Sequence, residues 1–311
     1  MDNYVFGIDL GGTSVKLGLF RTDGELLSKW EIPTRTDNGG EHILPDIASA
    51  LSGKMTELGI APSQVLGAGM GVPGAVVGDS RVEPCVNLCG WGGDVAERLS
   101  GMCGFPVKAL NDANAAALGE MWQGGGKGSS NVVFVTLGTG VGGGIIVEGR
   151  LLTGVHGCGG EIGHMKINPN ETETCGCGKK GCLEQYASAT GIVRMAKKAL
   201  ADCGSSSALR NCEVTAKSVF DCAKAGDGLA LSVVESFGKD LGRALAAVSC
   251  VCDPEVFVIG GGVSAAGGII LDVVKRGFAA AAFPPAEGTR FELARLGNDA
   301  GIYGSARLML A

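Results

Sequence analysis

Short apolar runs and longer amphipathic stretches alternate along the 311-residue chain. Two stretches share one plan, in which an apolar run is followed by a glycine-rich turn and a second apolar run: YVFGIDLGGTSVKLGLF at 4–20 and NVVFVTLGTGVGGGIIV at 131–147. Each plan predicts a β-hairpin with a glycine turn. Because the hairpin pattern occurs twice, we expect two similar lobes rather than one barrel.

Strand patterns alternate with helical patterns in the rest of the chain. Strands are predicted near 25–32, 65–74, 105–112, 255–262 and 291–295, and helices near 42–58, 94–104, 113–122, 190–201, 215–225, 229–250 and from about 299. Asp94 is expected to cap its helix. The alternation predicts α/β architecture, with an N-terminal lobe at 1–112, on which the last helix at about 299–311 packs back, and a C-terminal lobe at 113–298.

Composition excludes several classes of partner. The net charge is −6 and no Lys/Arg cluster stands out, so nucleic acid and anionic membranes are not expected partners. No apolar run reaches membrane-spanning length, and the chain starts with a strand pattern instead of a signal peptide, which favours a soluble cytoplasmic protein. The 12 cysteines are then expected to stay reduced. Five isolated ones are expected to be buried or half-buried: Cys103, Cys212, Cys222, Cys250 and Cys252.

The first glycine turn, DLGGT, has the composition of a phosphate-binding loop. Gly11 and Gly12 can adopt positive φ and expose backbone N–H groups, while Thr13 or Lys16 can reach a phosphate and Asp9 can hold a water on Mg²⁺. The spacing differs from the Walker pattern, and a lone Gly-Gly is also typical of a plain hairpin turn. Three glycine clusters after strands (DLGGT, LGTGVGGG and IGGG) favour a nucleotide site, with the last cluster close to the base or ribose.

Asn111 and Asp112 follow a predicted strand and precede an alanine-rich helix. Asp112 can simply cap that helix. The alternative is catalytic, because ligands bind at the carboxyl ends of strands in open α/β sheets. A carboxylate at that place can accept a proton from an attacking hydroxyl, which Asn111 would orient, as phosphoryl transfer requires.

A histidine and three clustered cysteines have the residue types of a zinc site. The candidate ligands are His164, Cys175, Cys177 and Cys182. One imidazole and three thiolates make a tetrahedral Zn²⁺ set that leaves no position for water, so the predicted metal is structural. A redox C-x-x-C motif is absent, because the pair is C-x-C. Glu161 and Glu184 flank the cluster and can bind hydroxyl groups, although both are also compatible with solvated loop positions.

Several of these stretches together resemble the ROK family of sugar kinases and repressors. They are DLGGTSVK, GVPG, NLCGW, LNDANAAALGE, LGTGVGGGII and GEIGHM followed by CGCGKKGCLEQYAS, in the family's order. The resemblance implies an actin-like, ribonuclease-H-like fold of two lobes with the active site in the cleft. CGCGKKGCLEQYASATGIVR is most similar to the same stretch in the family's bacterial ATP-dependent glucokinases, which implies phosphorylation of D-glucose at its 6-hydroxyl.

The resemblance also implies a role for each matching residue. Asp112 would be the general base. The sugar would be held by Asn87, Asn111, Asp112, Glu161, His164 and Glu184, with His164 also binding the structural Zn²⁺ together with Cys175, Cys177 and Cys182. ATP and Mg²⁺ would be bound by Asp9, Gly11, Gly12, Thr13, Lys16, Gly138, Thr139, Gly140, Gly260, Gly261 and Gly262.

The same resemblance leaves alternatives. An N-acetylmannosamine kinase, a broader hexose kinase and a polyphosphate donor all fit these motifs. A sugar-responsive repressor is not expected, because the first hairpin begins almost at Tyr4 and leaves no room for a helix-turn-helix domain. Family members also suggest a homodimer or homotetramer.

Overall fold

The computed structural model describes residues 3–85 and 88–310. The strands are β1 Tyr4–Leu10, β2 Ser14–Arg21, β3 Leu26–Pro33, β4 Val65–Val72, β5 Val76–Val77, β6 Arg81–Cys85, β7 Trp91–Asp94, β8 Val107–Asn111, β9 Val132–Leu137, β10 Val141–Val147, β11 Arg150–Leu151, β12 Val256–Gly260 and β13 Arg290–Leu293. The helices are α1 Asp37–Gly40, α2 Ile43–Leu58, α3 Val95–Cys103, α4 Asp112–Gln123, α5 Glu184–Ala187, α6 Ala189–Asp202, α7 Ala216–Lys224, α8 Gly228–Cys252, α9 Gly268–Ala279 and α10 Ala300–Leu308. The predicted strands and helices are all found, with ends that differ by a few residues.

The chain divides into two compact units, and neither is continuous in sequence. Unit 1 contains the chain up to Ser130, Gly144–Gly160 and the residues from Arg295 onward. Unit 2 contains Asn131–Gly143 and Glu161–Ala294. Helix α4 therefore lies in unit 1, together with α10 from the other end of the chain.

Unit 1 is built on a five-stranded sheet with the order β3-β2-β1-β4-β8. The first three strands form antiparallel hairpins, whereas β1, β4 and β8 are parallel. One face buries a large apolar core that includes Phe6, Ile8, Leu17 and Leu19 of the sheet and Ile47, Leu51, Val95 and Leu99 of helices α2 and α3. A smaller antiparallel sheet, β5-β6-β7, completes the unit.

The other face of this sheet is covered by α10, and glycine makes the close approach possible. A Cβ added to Gly7 of β1 would lie 1.9 Å from the Ile302 carbonyl oxygen, and one added to Gly69 of β4 would lie 1.7 Å from that of Ser305. A side chain at either glycine would therefore collide with the helix backbone. These contacts place the start of α10 beside the end of β1.

In unit 2, strands β9, β12 and β13 are parallel. They belong to a sheet with the order β11-β10-β9-β12-β13, and the chain passes from unit 2 to unit 1 within β10, after Gly143. Helices α8 and α9 pack closely, because a Cβ on Gly242 would lie only 2.3 Å from the Phe278 nitrogen. This sheet positions the second glycine turn and the IGGG cluster.

Two expectations from the sequence are wrong in detail. Asp94 occupies the N-cap position of α3, but its side chain makes no capping bond and accepts a hydrogen bond from Arg81 at 3.3 Å instead. Cys212 and Cys250 are exposed rather than buried, because each lies on the solvent side of its segment. Within the described residues, no helix is both long and apolar enough to cross a bilayer.

Candidate functional site

The parallel strands of unit 1 bring two predicted acids to one edge of the sheet. Asp9 of β1 is in register with Gly71 of β4, which is in register with Leu110 of β8, and Asp112 follows two residues later. Parallel strands end at the same edge, and that edge is where open α/β sheets bind ligands. Asp9 and Asp112 are therefore a pair of carboxylates at the same edge of the sheet.

Both carboxyl groups hold their protons more tightly than usual. Burial raises the pKa of Asp112, while hydrogen bonds from the Ala113 amide and from Asn111 oppose the rise. Burial also raises the pKa of Asp9; the Lys16 ammonium lowers it and the Asp112 charge raises it further. Asp112 nevertheless remains exposed to solvent. A carboxylate in such a place can exchange a proton with a bound ligand.

Asn111, and not Asp112, caps helix α4. Its Oδ1 accepts hydrogen bonds from the amides of Ala113 at 2.9 Å and Asn114 at 3.2 Å. Its Nδ2 donates to the Gly74 carbonyl oxygen at 3.1 Å, in the GVPG segment. Asn111 thus joins the start of α4 to that loop, and its side chain also hydrogen-bonds to the Asp112 carboxylate. The helix-cap reading of Asp112 is not needed to explain the start of α4.

The first glycine turn differs from the predicted nest. Gly11 and Gly12 do not have positive φ, and the Gly11 amide donates to the Ser14 carbonyl oxygen at 2.9 Å, which closes the hairpin. The turn is further held by Thr34, whose hydroxyl donates to the Gly11 carbonyl oxygen at 2.8 Å. Gly12 and Thr13 are exposed, and their amides have no acceptor within the described part of the chain. The amides of Gly12 and Thr13 are thus available to an anion, whereas the predicted Gly11 amide is not.

The beginning of α10 lies against this turn and its acid. A Cβ on Gly301 would lie 2.6 Å from the Asp9 carboxyl carbon, so only glycine leaves room for that carboxylate. Lys16, which is paired with Asp9 across the hairpin, donates to the Asn298 carbonyl oxygen at 3.2 Å. The chain end therefore forms one wall of the Asp9 site.

A residue that the sequence analysis missed anchors this chain end. Glu120 of α4 is fully buried, and its carboxylate accepts hydrogen bonds from the amides of Gly125 at 2.7 Å, Arg295 at 3.0 Å and Leu296 at 2.8 Å. Three backbone donors satisfy the buried charge. A glutamate near a helix end has no distinctive sequence pattern, so only the fold reveals this role.

The second glycine turn docks on the start of helix α6 in unit 2. The Gly138 amide donates to the Gly140 carbonyl oxygen at 3.0 Å, and the Gly138 carbonyl accepts from the Ala189 amide at 2.8 Å. The Thr139 carbonyl accepts from the Thr190 hydroxyl at 2.7 Å. These bonds hold the turn against a helix N-terminus, which favours anionic ligands.

The third glycine cluster is built for close approach of backbone. Gly261 has φ +80°, and a Cβ there would lie 2.5 Å from the Leu137 nitrogen at the end of β9. Gly260 abuts the Phe134 ring, whereas Gly262 faces open space. The second and third clusters therefore lie side by side at the ends of adjacent parallel strands.

A cavity of about 430 Å³ opens between these two clusters and helix α7. Its lining residues are Gly138, Thr139, Ala189, Ala216, Lys217, Phe220, Asp221, Lys224, Gly262, Val263, Ala265 and Ala266. Its size and mainly apolar walls suit a planar aromatic group. The sequence analysis missed the α7 residues, because the outer face of an amphipathic helix has the same pattern whether or not it lines a cavity.

The histidine and three cysteines predicted to bind metal come together in unit 2. One Nδ1 and three Sγ atoms all lie within 4.8 Å of one another. Cys177 Sγ and Cys182 Sγ are 3.5 Å apart, and Cys175 Sγ is 3.9 Å from His164 Nδ1. Tetrahedral Zn²⁺ with one nitrogen and three sulfur ligands needs donor separations of about 3.6–3.8 Å. The donor set therefore fits zinc, with Nδ1 as the imidazole donor.

Glu184 connects this cluster to the second glycine turn. Its Oε1 accepts a hydrogen bond from Cys175 Sγ at 2.7 Å and lies 3.8 Å from His164 Nδ1. Its Oε2 lies 2.7 Å from where a Cβ on Gly140 would be. Glu161 precedes the short 3-10 turn Ile162–His164 and is exposed. Asn87, the remaining predicted sugar ligand, lies outside the described residues.

A partly buried ion pair fastens the loop that leads to the cysteines. The Glu171 carboxylate accepts hydrogen bonds from Arg194 Nη2 at 2.8 Å and from the Tyr186 hydroxyl. These bonds lower the pKa of Glu171 to about 2. Tyr186 also accepts from Asn168 Nδ2 at 2.6 Å. The cluster therefore sits on a loop that is tied to helices α5 and α6.

Known proteins resemble this chain over nearly its whole length. The sequence model of the ROK family matches residues 5–311. The chain is 43% identical to a glucokinase of Halalkalibacterium halodurans, over 99% of this chain and 95% of that protein. It is 36% identical to a glucokinase of Thermotoga maritima, over 98% and 96% of the two chains. A solved ROK glucokinase from Streptomyces griseus, in complex with glucose and AMPPNP, has a TM-score of 0.73 and 31% identity, covering 98% of this chain and 99% of that one.

Proposed function

Because the chain belongs to the ROK family, we propose that it is a glucokinase that transfers a phosphoryl group from ATP to the 6-hydroxyl of D-glucose. The observation that carries the proposal is full-length similarity to glucokinases, at 43% identity for one of them. Asp9 and Asp112 at the unit 1 sheet edge supply carboxylates for metal binding and proton transfer, and the cavity of unit 2 supplies an apolar site for adenine. The fold is then the actin-like two-lobe fold of ROK kinases.

In this proposal Asp112 is the general base. Its raised pKa makes its carboxylate a better proton acceptor than an ordinary aspartate, and its accessible side chain can reach a ligand. Asn111 fixes the backbone before it through its bonds to the α4 amides and to the Gly74 carbonyl oxygen. The base therefore stands on a capped helix rather than on a free loop.

Each unit offers groups that would bind part of ATP. The adenine fits the 430 Å³ cavity beside Phe220, and the turns at Gly138–Gly140 and Gly260–Gly262 lie next to it. The free amides of Gly12 and Thr13, with Lys16, would face phosphate oxygens. Asp9 would hold Mg²⁺ through water, and Mg²⁺ neutralises phosphate charge when bound.

The remaining sugar hydroxyls would be held by Asn87, Glu161, His164 and Glu184. We assign His164 Nδ1 to structural zinc, which leaves Nε2 for the sugar. The zinc site would keep Glu184 and His164 in place, since the four donors come from a single stretch of unit 2.

The direct test compares initial rates with ATP on glucose, mannose, fructose and N-acetylmannosamine. Glucose should give the highest kcat/KM. 6-Deoxyglucose should compete with glucose but accept no phosphate, because it lacks the attacking hydroxyl. A higher kcat/KM for N-acetylmannosamine would replace glucokinase by N-acetylmannosamine kinase. Faster turnover with polyphosphate than with ATP would contradict the assignment of the cavity to adenine.

A further inference from the structure

The backbone places Lys166 directly opposite a predicted zinc ligand. Lys166 and Cys182 face each other in an antiparallel bridge. The bridge is flanked by hydrogen bonds from the Leu183 amide to the Met165 carbonyl and from the Ile167 amide to the Gly181 carbonyl, both at 2.9 Å. Side chains of directly opposed residues point to the same face. Register alone therefore brings the lysine to the cysteine.

The side chains use this placement. Lys166 Nζ donates a hydrogen bond to Cys182 Sγ at 2.7 Å, and Cys182 is fully buried. An ammonium group has three hydrogens and no acceptor, so the sulfur is the acceptor in this bond. An ammonium group from an exposed residue thus contacts a buried sulfur of the Cys-His cluster.

A zinc-bound site would be negatively charged, and a nearby cation would stabilise it. Three thiolates and one neutral imidazole around Zn²⁺ carry a net charge of −1, and the Glu184 carboxylate lies 2.7 Å from Cys175 Sγ. Groups that hydrogen-bond to metal ligands orient them and tune the metal. We propose that Lys166 is an outer-sphere partner of the zinc site, holding the Cys182 thiolate and offsetting the negative charge; this inference rests on the zinc site of the proposed function.

A different role for Lys166 would be an ordinary ion pair with Asp240. Both residues line a cavity of about 200 Å³, together with Arg243 of α8. Among the described residues, however, no ion pair joins Lys166 to Asp240, and the ammonium bonds to sulfur instead. Lys179 and Lys180 lie in the cysteine loop itself, but their side chains form no hydrogen bond or ion pair with any described residue. Proximity to the cluster therefore does not by itself produce the contact.

The first experiment measures zinc affinity by competition with a chromophoric chelator. Lys166→Met removes the charge and the donor, and Lys180→Met removes an equal charge from the same loop as the matched control. Zinc should bind about 10- to 100-fold more weakly to Lys166→Met, the usual loss for an outer-shell partner, and about equally to Lys180→Met and the parent chain. Lys166→Arg, which keeps a charged donor, should bind zinc more tightly than Lys166→Met.

The second experiment replaces zinc by Co²⁺ and records the sulfur-to-cobalt charge-transfer band. Loss of a hydrogen bond to a thiolate should move this band to lower energy in Lys166→Met and leave it in place in Lys180→Met. If Lys166→Met matches Lys180→Met in affinity and spectrum, the Lys166 inference is overturned while the zinc site stands. If the parent chain binds neither metal, the zinc part of the proposed function fails as well.

Discussion

At the scale of single residues, the neighbours Asn111 and Asp112 have different roles: Asn111 caps helix α4, and Asp112 is the proposed general base. Asn111 has extended backbone, which lets its side chain turn back to the free amides of α4. Asp112 is already helical, so its carboxylate is not needed for the cap and stays accessible to solvent. Substitution of Asp112 should therefore lower turnover, whereas substitution of Asn111 should lower stability.

Asp112→Asn should leave the fold and glucose affinity nearly unchanged, because the amide has the same shape and α4 keeps its Asn111 cap. If Asp112 is the base, kcat should fall by about 10²- to 10⁴-fold. The measurements are kcat, a thermal melt and a glucose titration. A kcat near that of the parent chain would refute the assignment.

Asn111→Ala should instead lower stability. It removes the cap of α4, at a cost of about 0.5–2 kcal/mol, and the bond to Gly74. Asn111→Asp is the matched control, because aspartate caps equally well but cannot donate to the Gly74 carbonyl. Chemical denaturation should rank the chains as parent, Asn111→Asp and Asn111→Ala in order of decreasing stability. Equal stability of all three would argue against the observed cap.

At the scale of elements, the cysteine segment depends on helix α6 for its position. Arg194 of α6 binds Glu171 at 2.8 Å and the Gln185 carbonyl at 3.0 Å, so one side chain ties two parts of the segment. The ligands are local in sequence, but their loop is ordered by a helix that follows them. Stability should therefore respond to substitution in the Glu171–Arg194 pair, and metal content to substitution of a cysteine ligand candidate.

The Glu171–Arg194 pair should produce a pH-dependent contribution to stability. Because the folded pKa of Glu171 is lowered from 4.5 to about 2, this contribution is complete above pH 4.5 and is lost as the pH falls toward 2. Glu171→Gln should lower the Tm at pH 7 and reduce the further loss of Tm between pH 5 and pH 3. Glu213→Gln, at an exposed position, is the control. An unchanged pH profile in Glu171→Gln would contradict the role of the pair.

Cys175→Ser should reduce zinc below the expected value of about one ion per chain, because a hydroxyl is a poor zinc ligand. Glucose should also bind more weakly, because loss of the metal would leave His164 and Glu184 less firmly held. Elemental analysis and a glucose titration test both points, with Cys250→Ser as an exposed control outside the cluster. A parent chain that is free of metal yet fully stable and active would refute the structural zinc.

At the scale of the whole molecule, the two units contribute different chemistry. Unit 1 carries the acids and is completed by α10 from the chain end, which fits only because Gly7 and Gly69 lack side chains. Unit 2 carries the cavity and the candidate metal ligands. A substitution in the cavity should therefore affect the nucleotide alone.

Ala265→Trp tests this separation. Ala265 is exposed at the wall of the 430 Å³ cavity, so an indole there would fill space without disturbing the core. The KM for ATP should rise about tenfold or more, while glucose affinity and Tm stay near those of the parent chain. Ala281→Trp, exposed but outside the cavity, is the control. A KM for ATP that is unchanged by Ala265→Trp would exclude this cavity as the adenine site.

Local chemistry explains what could be predicted from the sequence by itself. Hydrophobic periodicity depends on neighbouring residues, so the strands and helices were predictable to within a few residues. The His164 and cysteine donors were predictable because thiolate and imidazole are the ligands zinc prefers. The order of the glycine-rich, Asn-Asp and Cys-His motifs along the chain also sufficed to identify the family and, through the family, the kinase activity that we propose.

Tertiary structure decided the features that join distant residues. The Gly11 amide is occupied by Ser14, which only the closed hairpin shows. Glu120 meets Arg295 and Leu296 across most of the chain length, and Lys166 meets Cys182 through strand register. Such contacts depend on how elements pack, and packing is set by the shapes of all buried side chains together. A sequence pattern shows periodicity and residue chemistry, whereas the pairing of residues that are far apart in the chain depends on how the folded elements are placed.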